Sequence, residues 1–402
     1  MLFNLVELAQ NWLDERGLYA VVQVMYQLEF RAFLAVLLGF LLVRLAGPRT
    51  IAWLRNRKVA DNPEFHNLTL NELMKQKAAT PTMGGILVIG SILVTSLLLA
   101  DVWHSMPTKV ALVVTVMLAI LGSFDDWLKL NAARRKPGSR DGLFPWEKLL
   151  FQLGIGALAG WFLWHAAPTI DAQVLNLPFQ RTYPPTAMMG METPAQPPQV
   201  AENVLVLGAL AFTAIACLTI ALTSNAVNLT DGMDGLASGL VLIAGLMAMT
   251  VVALAANPRM SYFLMVPHVP QARELMVVAG AMTGACMGFL WFNCQPASVF
   301  MGDTGSLALG GLLAAIFVAV RQEFLLLVVG GLFFVEAGSV VLQVGWFKTS
   351  RRLFGEGRRL FKCAPIHHHF HMAGWTETQT VARFWIVGIL LSMVGLVLLK
   401  LR

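Results

Sequence analysis

Residues 299–320 read VFMGDTGSLALGGLLAAIFVAV, a short polar motif followed by an unbroken apolar run. After Asp303 no charged residue occurs until Arg321. A helix needs about 20 predominantly apolar residues to cross the hydrocarbon core of a bilayer. Because the single acid stands directly before the run, this stretch predicts a membrane-spanning helix with polar chemistry at one end.

The same combination of long apolar runs and few charges extends along the chain. Of 402 residues 57% are hydrophobic and only 13% are charged, about half of the roughly 25% charged residues of a typical soluble protein. This composition excludes a disordered chain and argues against a soluble enzyme. The sequence predicts an all-α polytopic membrane protein with about ten spans, at roughly 30–47, 83–100, 109–124, 148–165, 204–223, 236–256, 275–291, 306–320, 324–346 and 383–400.

The first 29 residues form a separate N-terminal segment. Leu2, Leu5, Val6 and Trp12 fall on one helical face, which predicts a helix lying in the membrane interface. The segment has no basic start, which argues against a cleaved signal peptide. Residues 30–402 are predicted to form a single transmembrane domain, with insertions at about 166–203 and 257–274.

The distribution of charge predicts the orientation of the spans. Twenty of the 29 Lys and Arg residues lie in or beside the loops near 48–82, 125–147 and 347–382. The positive-inside rule places these loops in the cytoplasm, and ten spans then place both termini on the outer side. The net charge of +6 therefore indicates orientation rather than a nucleic-acid partner. Four cysteines without a C-x-x-C pair indicate neither a disulfide framework nor a zinc ribbon.

Polar residues collect at the inner ends of the spans. Asp125 and Asp126 end the third span, and Lys129 would lie on the same face if the helix continues. This pattern fits either an ion pair at a helix end or a site for a metal or a general base. Asn228, Asp231 and Asp234 are spaced by three, so they would share one face of a helix or tight turn.

Two further loops carry unusual side chains. Asp303 or Thr304 would either cap the eighth span or leave its amino end open to a phosphate. The last loop contains His367, His368, His369 and His371, which could contact phosphate or aromatic groups, or form a zinc site with Cys363.

Two polar residues interrupt the ninth span. Glu336 and Gln343 lie one heptad apart on one face. An intramembrane carboxylate indicates a functional site by default, and a buried hydrogen bond to a neighbouring helix is the alternative.

Carboxylates, lysines, asparagines and histidines at one membrane surface favour phosphoryl transfer. Mg²⁺ binds few protein carboxylates and keeps oxygens of the substrate phosphates as its other ligands. A site at the depth of the lipid headgroups predicts that one substrate is a lipid.

Five motifs in this order resemble the polyprenyl-phosphate N-acetylhexosamine-1-phosphate transferase family, and within it the branch that acts on muramoyl-pentapeptide. The motifs lie at Thr80–Gly85, Asp125–Asp126, Asn228–Gly235, Val299–Ser306 and Pro365–Phe370. The similarity runs from about residue 30 to the C-terminus, except for 168–203 and 257–274.

The resemblance implies a fold of ten transmembrane helices, commonly a homodimer. It implies that UDP-N-acetylmuramoyl-pentapeptide gives its phospho-sugar to undecaprenyl phosphate, with Mg²⁺ as cofactor. The products would be lipid I and UMP, at the cytoplasmic face of the bacterial inner membrane, in peptidoglycan synthesis.

The motif matches also imply residue roles. Asp303 resembles the Mg²⁺ ligand, with Asp231 as a further candidate, and Asp125 and Asp126 resemble the carboxylates near the attacking lipid phosphate, Asp125 being the proposed base. The positions that match the substrate site are Lys77, Thr82, Lys129, Asn228, Asp231, Asn293 and His369, and those that match the essential histidines are His367 and His368. The sequence departs from the family at Asp141, where a lysine is usual, and at His371, where a glutamate is usual.

Alternatives remain open at this point. A sibling transferase would use UDP-N-acetylglucosamine, although the Pro-x-His-His-His-Phe motif favours the muramoyl branch. A cation transporter would place charges inside several spans. An intramembrane aspartyl protease would need aspartates on two facing helices, whereas Asp125 and Asp126 are adjacent.

Overall fold

The computed structural model describes residues 2–17, 22–57, 80–132, 142–184 and 198–401. This part of the chain is helical, and an isolated antiparallel β-bridge joins Val174 and Val206. The helices are α1 Leu2–Leu8, α2 Gln10–Glu15, α3 Leu28–Asn56, α4 Gly85–Leu99, α5 Met106–Ala132, α6 Pro145–His165, α7 Ala209–Thr230, α8 Leu236–Ala256, α9 Pro258–Leu264, α10 Leu275–Asn293, α11 Gly302–Ala319, α12 Glu323–Val329, α13 Gly331–Phe354, α14 Ile366–Met372 and α15 Glu377–Lys400. The predicted all-α polytopic class is confirmed.

Each of the ten predicted spans coincides with helix. Within the described residues, seven helices are long and apolar enough to cross a membrane: α3, α5, α7, α8, α10, α11 and α15. The second predicted span is α4, a shorter apolar helix, and the fourth is α6.

The predicted ninth span at 324–346 corresponds to two helices, α12 and α13, which only together are long and apolar enough to form a span. The chain breaks at Gly330, and α12 and α13 meet at an angle of 80°. Gly330 and Gly331 form an adjacent pair, and glycine is a weak helix former at which sharp kinks occur. Helix α13 therefore leaves the axis of α12 instead of continuing across the bundle.

Helix α11 forms the centre of the bundle. Every residue from Thr304 to Ala319 is buried, and α4, α5, α7, α8 and α10 pack around it. A helix that is apolar all round belongs in the interior of a membrane bundle rather than at its lipid surface. The motif at 299–306 therefore lies at the end of the most enclosed helix in the described structure.

Helices α3 and α10 approach closely through glycines. A Cβ added to Gly284 would lie 2.0 Å from the Val36 carbonyl oxygen, and one added to Gly280 would lie 2.5 Å from that of Ala32. Spacing of small residues by four is a common basis of helix packing in membranes. The contacts advance along both helices together, so α3 and α10 run in the same direction.

The N-terminal segment is more firmly attached than the sequence predicts. It forms two short helices, in which Leu5, Leu8 and Trp12 are exposed, as an interfacial helix requires. Asn4, however, is buried, because its Nδ2 donates to Asp101 Oδ1 at 2.9 Å.

A buried ion pair fastens this end of the bundle. Arg31 of α3 donates to both carboxylate oxygens of Glu274, at 2.7 and 2.8 Å. The centre of the Phe3 ring lies 4.0 Å from the Arg31 guanidinium carbon.

The last helix ends at the same end of the bundle, where Lys400 Nζ lies 3.4 Å from the centre of the Phe263 ring. The first and last described segments thus share one end of the bundle, as an even number of spans requires. The assignment of that end to the outer side stays a prediction from charge.

The two insertions pack on each other at this end. Thr182 N of the first insertion donates to Met265 O of the second at 3.0 Å. The hydroxyl of the buried Tyr183 accepts from His268 N at 2.9 Å. Part of the first insertion, residues 185–197, lies outside the described residues.

The interface between the insertions is expected to be sensitive to pH. Burial raises the pKa of Asp171 from 3.8 to about 6, against a hydrogen bond from Tyr183 that lowers it. The folded chain therefore holds this proton more tightly than the unfolded chain, so the contribution to stability is full below pH 4 and is lost as the pH rises through 6. Asp171→Asn should match the wild type in thermal unfolding at pH 4 and exceed it by about 2 °C or more at pH 7. Glu202→Gln in the same region is the control, and an Asp171→Asn difference that does not change with pH would contradict the assignment.

Candidate active site

Two carboxylates and two lysines form a compact cluster at the end of the bundle opposite the chain ends. Lys129 Nζ lies 2.8 Å from Asp125 Oδ2 and 3.2 Å from Asp303 Oδ2. Lys148 Nζ lies 2.7 Å from Asp125 Oδ2 and 2.6 Å from Asp303 Oδ2. Each lysine therefore bridges the same two acids, and we call Asp125, Lys129, Lys148 and Asp303 the bridged tetrad.

Three helices place the bridged tetrad. Asp125 and Lys129 lie one turn apart because α5 continues to Ala132, which confirms the predicted shared face. Lys148 stands in the first turn of α6, and Asp303 stands in the first turn of α11. Asp125 is completely buried, and its Oδ1 accepts from Leu143 N at 2.7 Å.

Lys148 is a site residue that the sequence reasoning missed. By sequence alone it is one of many cations that indicate orientation. Its contact with Asp125 exists only because α5 and α6 pack side by side and bring positions 23 residues apart together. Its place one turn into an apolar helix, at the same predicted depth as Lys129, is the signal that could have singled it out.

Asp126 caps the amino end of α11 from another helix. Its two carboxylate oxygens accept from Asp303 N at 3.1 Å and from Thr304 N at 3.0 Å, and Thr304 Oγ1 donates to it at 2.7 Å. A carboxylate at the amino end of a helix accepts hydrogen bonds from its free N–H groups and is attracted by the partial positive charge of that end. The expectation that Asp303 or Thr304 caps its own helix is wrong, and Asp303 is left free to face Lys129 and Lys148.

Glycine contacts hold α5 against the start of α11. A Cβ added to Gly122 would lie 2.2 Å from Asp303 O. At the neighbouring helix, a Cβ added to Gly85 would lie 2.2 Å from Gly305 N. The backbone of Asp303 is therefore fixed by two approaches that tolerate no side chain.

Gly122→Ala is expected to disturb the site through this contact. The added methyl group must move Asp303 or α5, which should lower stability by about 1–3 kcal/mol and transfer activity by at least about 10-fold. Thermal unfolding and the initial rate measure the two effects. Gly154→Ala is the matched control because nothing lies within 4 Å of its added Cβ. Equal effects of the two substitutions would contradict this account.

Asn228 connects the second polar motif to the bridged tetrad. Its Nδ2 donates to Asp303 Oδ1 and to Ser306 Oγ, both at 2.9 Å. The helical form of the predicted arrangement of Asn228, Asp231 and Asp234 is excluded, because α7 ends at Thr230, and Asp231 and Asp234 follow in the turn before α8. Asp234 accepts from Ala297 N at 3.0 Å, in the loop before α11.

Asp231 lies directly after α7 in a strongly negative setting. Burial and the nearby charges of Asp303, Asp126 and Asp234 raise the pKa of Asp231 to about 8, against a backbone hydrogen bond from Gly302. A proton or a cation is therefore needed beside this carboxylate at neutral pH.

The acidic residues suit a hard divalent cation. The described residues contain no group of three or more His, Cys, Asp or Glu side chains placed to hold a metal ion. Mg²⁺ does not need such a group, since it is commonly bound by one or two carboxylates with substrate phosphates and waters. The all-oxygen donor set and the unbalanced negative charge around Asp231 fit this ion, with Asp303 and Asp231 as the residues that would hold it.

Asn293 is occupied in joining loops. Its Oδ1 accepts from Gly235 N and Ser238 Oγ, both at 3.1 Å, and its Nδ2 donates to Val299 O at 3.0 Å. This buried amide fixes the loop before α11 to the loop before α8. Its predicted contact with the substrate stays a prediction.

Thr82 lies beside the start of α11. A Cβ added to Gly302 would lie 3.0 Å from Thr82 Oγ1, and Phe300 N donates to Pro81 O at 2.8 Å. Lys77, predicted with Thr82 as a substrate-binding residue, lies outside the described residues, as does Asp141.

Glu336 is the partner of the first histidine. Nδ1 of the buried His367 lies 3.1 Å from Glu336 Oε2. A Cβ added to Gly232 would lie 2.4 Å from His367 Nε2 and 3.4 Å from His368 Nε2. The histidine loop is therefore packed against the turn that carries Asp231, and Glu336 lies beside its first imidazole.

The remaining histidines serve the loop itself. His369 Nδ1 accepts from Lys362 N at 3.1 Å, and His371 Nδ1 lies 2.9 Å from Trp375 O. Together with the finding that no metal-binding group of three is assembled in the described residues, these contacts leave the zinc hypothesis for Cys363 without support.

The fold defines a polytopic helical membrane protein, and the site gathers acids and lysines at one end of its bundle. The sequence matches glycosyl transferase family 4 over residues 108–321, just over half of the chain, and the chain therefore belongs to that family. Members of this family are membrane transferases that pass a sugar 1-phosphate from a nucleotide-sugar to polyprenyl phosphate. The matched region contains the whole bridged tetrad.

Proposed function

We propose that this protein transfers phospho-N-acetylmuramoyl-pentapeptide from its UDP derivative to undecaprenyl phosphate, forming lipid I and UMP. The bridged tetrad carries the proposal, because it places two ammonium groups between two acids at the end of a buried transmembrane helix. The Pro365–Phe370 motif favours the muramoyl donor over UDP-N-acetylglucosamine, and its histidines pack against the Asp231 turn.

The main chemical demand is to bring two polyanions together. A phosphomonoester has a second pKa of about 6, so the lipid phosphate is mostly dianionic at neutral pH. A general base, typically worth about 10²–10⁴-fold, has little proton left to remove. Positive charge held in place for the donor phosphates and the departing UMP is the larger requirement.

The lysines of the bridged tetrad meet this demand. Lys129 and Lys148 each contact both Asp125 and Asp303. Incoming phosphate oxygens would exchange with carboxylate oxygens on the same ammonium groups. Mg²⁺ would supply further positive charge beside Asp303 and Asp231. Asp125 is fully buried with both oxygens engaged, which favours a role in holding the lysines over nucleophilic attack.

The choice of donor can be tested directly. Purified protein is given undecaprenyl phosphate and Mg²⁺ with either UDP-N-acetylmuramoyl-pentapeptide or UDP-N-acetylglucosamine, and UMP is measured. We expect release with the muramoyl donor at least about 100-fold faster, as for a donor whose specific contacts are made in the site. Release with UDP-N-acetylglucosamine alone would assign the protein to the sibling activity.

We also propose that the protein is a homodimer in the bacterial inner membrane, with the site on the cytoplasmic face. The clustering of cations at the end of the bundle that carries the site supports this orientation.

The orientation can be tested with two cysteines at the site end of the bundle. Cys294 is exposed and Cys363 is half-buried at this end. An impermeant thiol reagent should label neither cysteine in intact cells. It should label both once the inner face of the membrane is opened. Glu202→Cys, at an exposed site on the opposite end, is the positive control; labelling of Cys294 in intact cells would overturn the orientation.

A further inference from the structure

The end of α13 and the segment after it form a closed hairpin. The helix stops at Gly355, where φ is +76°. Gln343 Oε1 accepts from Leu360 N at 3.0 Å and from Phe361 N at 2.8 Å. Ser350 Oγ accepts from Arg358 N at 2.8 Å. Residues 343–362, which we call the basic hairpin, are therefore held in one shape by side chains of α13. This also explains Gln343, the second polar residue of the ninth span.

The basic hairpin is strongly cationic. It contains one acid, Glu356, and six exposed cations: Lys348, Arg351, Arg352, Arg358, Arg359 and Lys362. Among the described residues none of the six forms an ion pair with a carboxylate. The Arg358 guanidinium instead stacks on Phe354, 4.7 Å from the ring centre, and Lys362 Nζ donates to Met372 O at 3.3 Å.

The same surface is strongly apolar. The exposed hydrophobic side chains on the outer half of α13 and on the hairpin are Val341, Leu342, Val344, Trp346, Phe347, Leu353, Phe354 and Leu360. Leu353, at 69% exposure, stands between Arg352 and Phe354 at the tip. Apolar and aromatic side chains mixed with Lys and Arg are typical of segments that sit at the boundary of acyl chains and headgroups.

The geometry of α13 places this surface away from the helical bundle. The helix turns 80° away from α12 and its outer half is exposed, so the hairpin projects from the bundle. Long basic side chains can reach the headgroups while their stems cover apolar surface. Each cation near an anionic membrane surface strengthens binding about fivefold.

We propose that the basic hairpin binds the phosphate groups of anionic bilayer lipids, with its apolar side chains in the adjoining acyl layer. The hairpin leads directly into the histidine loop, since Lys362 N donates to His369 Nδ1 at 3.1 Å. Bound lipid would therefore steady the loop that packs on the Asp231 turn. The lipid site itself does not depend on which sugar is transferred.

The test counts lipids retained by the full chain. Protein is reconstituted in nanodiscs of equal phosphatidylglycerol and phosphatidylcholine, extracted in mild detergent and examined by native mass spectrometry. We expect the wild type to retain phosphatidylglycerol preferentially. Arg351→Gln/Arg352→Gln/Arg359→Gln should lower that preference by about 10-fold or more, while the corresponding triple lysine variant should keep it. Arg358 and Lys362 stay unchanged because they hold the hairpin together.

A matched control removes the same charge from the same end of the bundle. Arg49→Gln/Arg55→Gln/Arg57→Gln alters two exposed arginines on α3 and a third directly after it, and this variant should keep most of the preference. Equal losses in the two glutamine variants, or no preference in the wild type, would overturn the proposal. Displacement of the lipid by inorganic phosphate would assign the site to a soluble anion and would equally overturn it. In purely neutral bilayers the hairpin variant should retain wild-type transfer activity.

Discussion

Asp303→Asn is expected to lower kcat for sugar-phosphate transfer by about 10³-fold. The substitution preserves shape but removes the charge that faces Lys148 at 2.6 Å and Lys129 at 3.2 Å. It also removes one of the two carboxylates that we propose as ligands of Mg²⁺. Because the backbone of Asp303 is fixed by the Asp126 cap and by Gly122, the variant should fold normally. The initial rate of UMP release measures the effect, and Glu202→Gln at the opposite end should change the rate less than twofold.

Asp125→Asn provides the informative comparison. If the lipid phosphate is already dianionic, a base at Asp125 matters little at high pH, and its remaining role is to hold the two lysines. We therefore expect Asp125→Asn to retain at least about 10-fold more activity than Asp303→Asn at pH 9, and to lose part of this advantage towards pH 6. Equal losses that do not vary with pH would argue against this division of roles.

Lys148→Met is expected to have the second-largest effect, a loss of about 10²-fold in kcat/KM. Nζ of Lys148 contacts Asp125 at 2.7 Å as well as Asp303, so its removal leaves two acids facing each other with one cation between them. The loss should include a higher KM for the nucleotide-sugar, because the donor phosphates lose one of their two ammonium partners.

The control for Lys148→Met is Lys109→Met. Lys109 is exposed at the opposite end of α5 from Lys129, so its loss removes the same charge away from the site. Wild-type kinetics are expected for this variant. A Lys148→Met enzyme with unchanged kcat/KM would show that the bridged tetrad does not act on the substrate.

Composition and apolar run length were sufficient to predict the helices of the bundle, because each run is long enough to require burial in lipid or protein. The same signals could not predict the 80° break at Gly330, since apolar residues continue on both sides of it. Nor could amphipathicity predict that Asn4 is buried, because its partner Asp101 is distant in the sequence.

The site was predictable where neighbouring residues act together and not where distant ones meet. Helical spacing indicated the contact of Asp125 with Lys129, since both stand on one helix. Lys148, the capping role of Asp126 and the pairing of Glu336 with His367 depend on which helices pack together. Substrate binding by Lys77 and by His369 stays a prediction from the sequence.

The central claim is that the chain moves a sugar together with its phosphate onto a lipid phosphate. Donor labelled with ³²P in its β-phosphate, incubated with enzyme, undecaprenyl phosphate and Mg²⁺, tests this most directly. The account predicts that the label enters the lipid extract in equal amount to the UMP released, and only when undecaprenyl phosphate is present. Release of labelled UDP, or of labelled inorganic phosphate in place of labelled lipid, would contradict it.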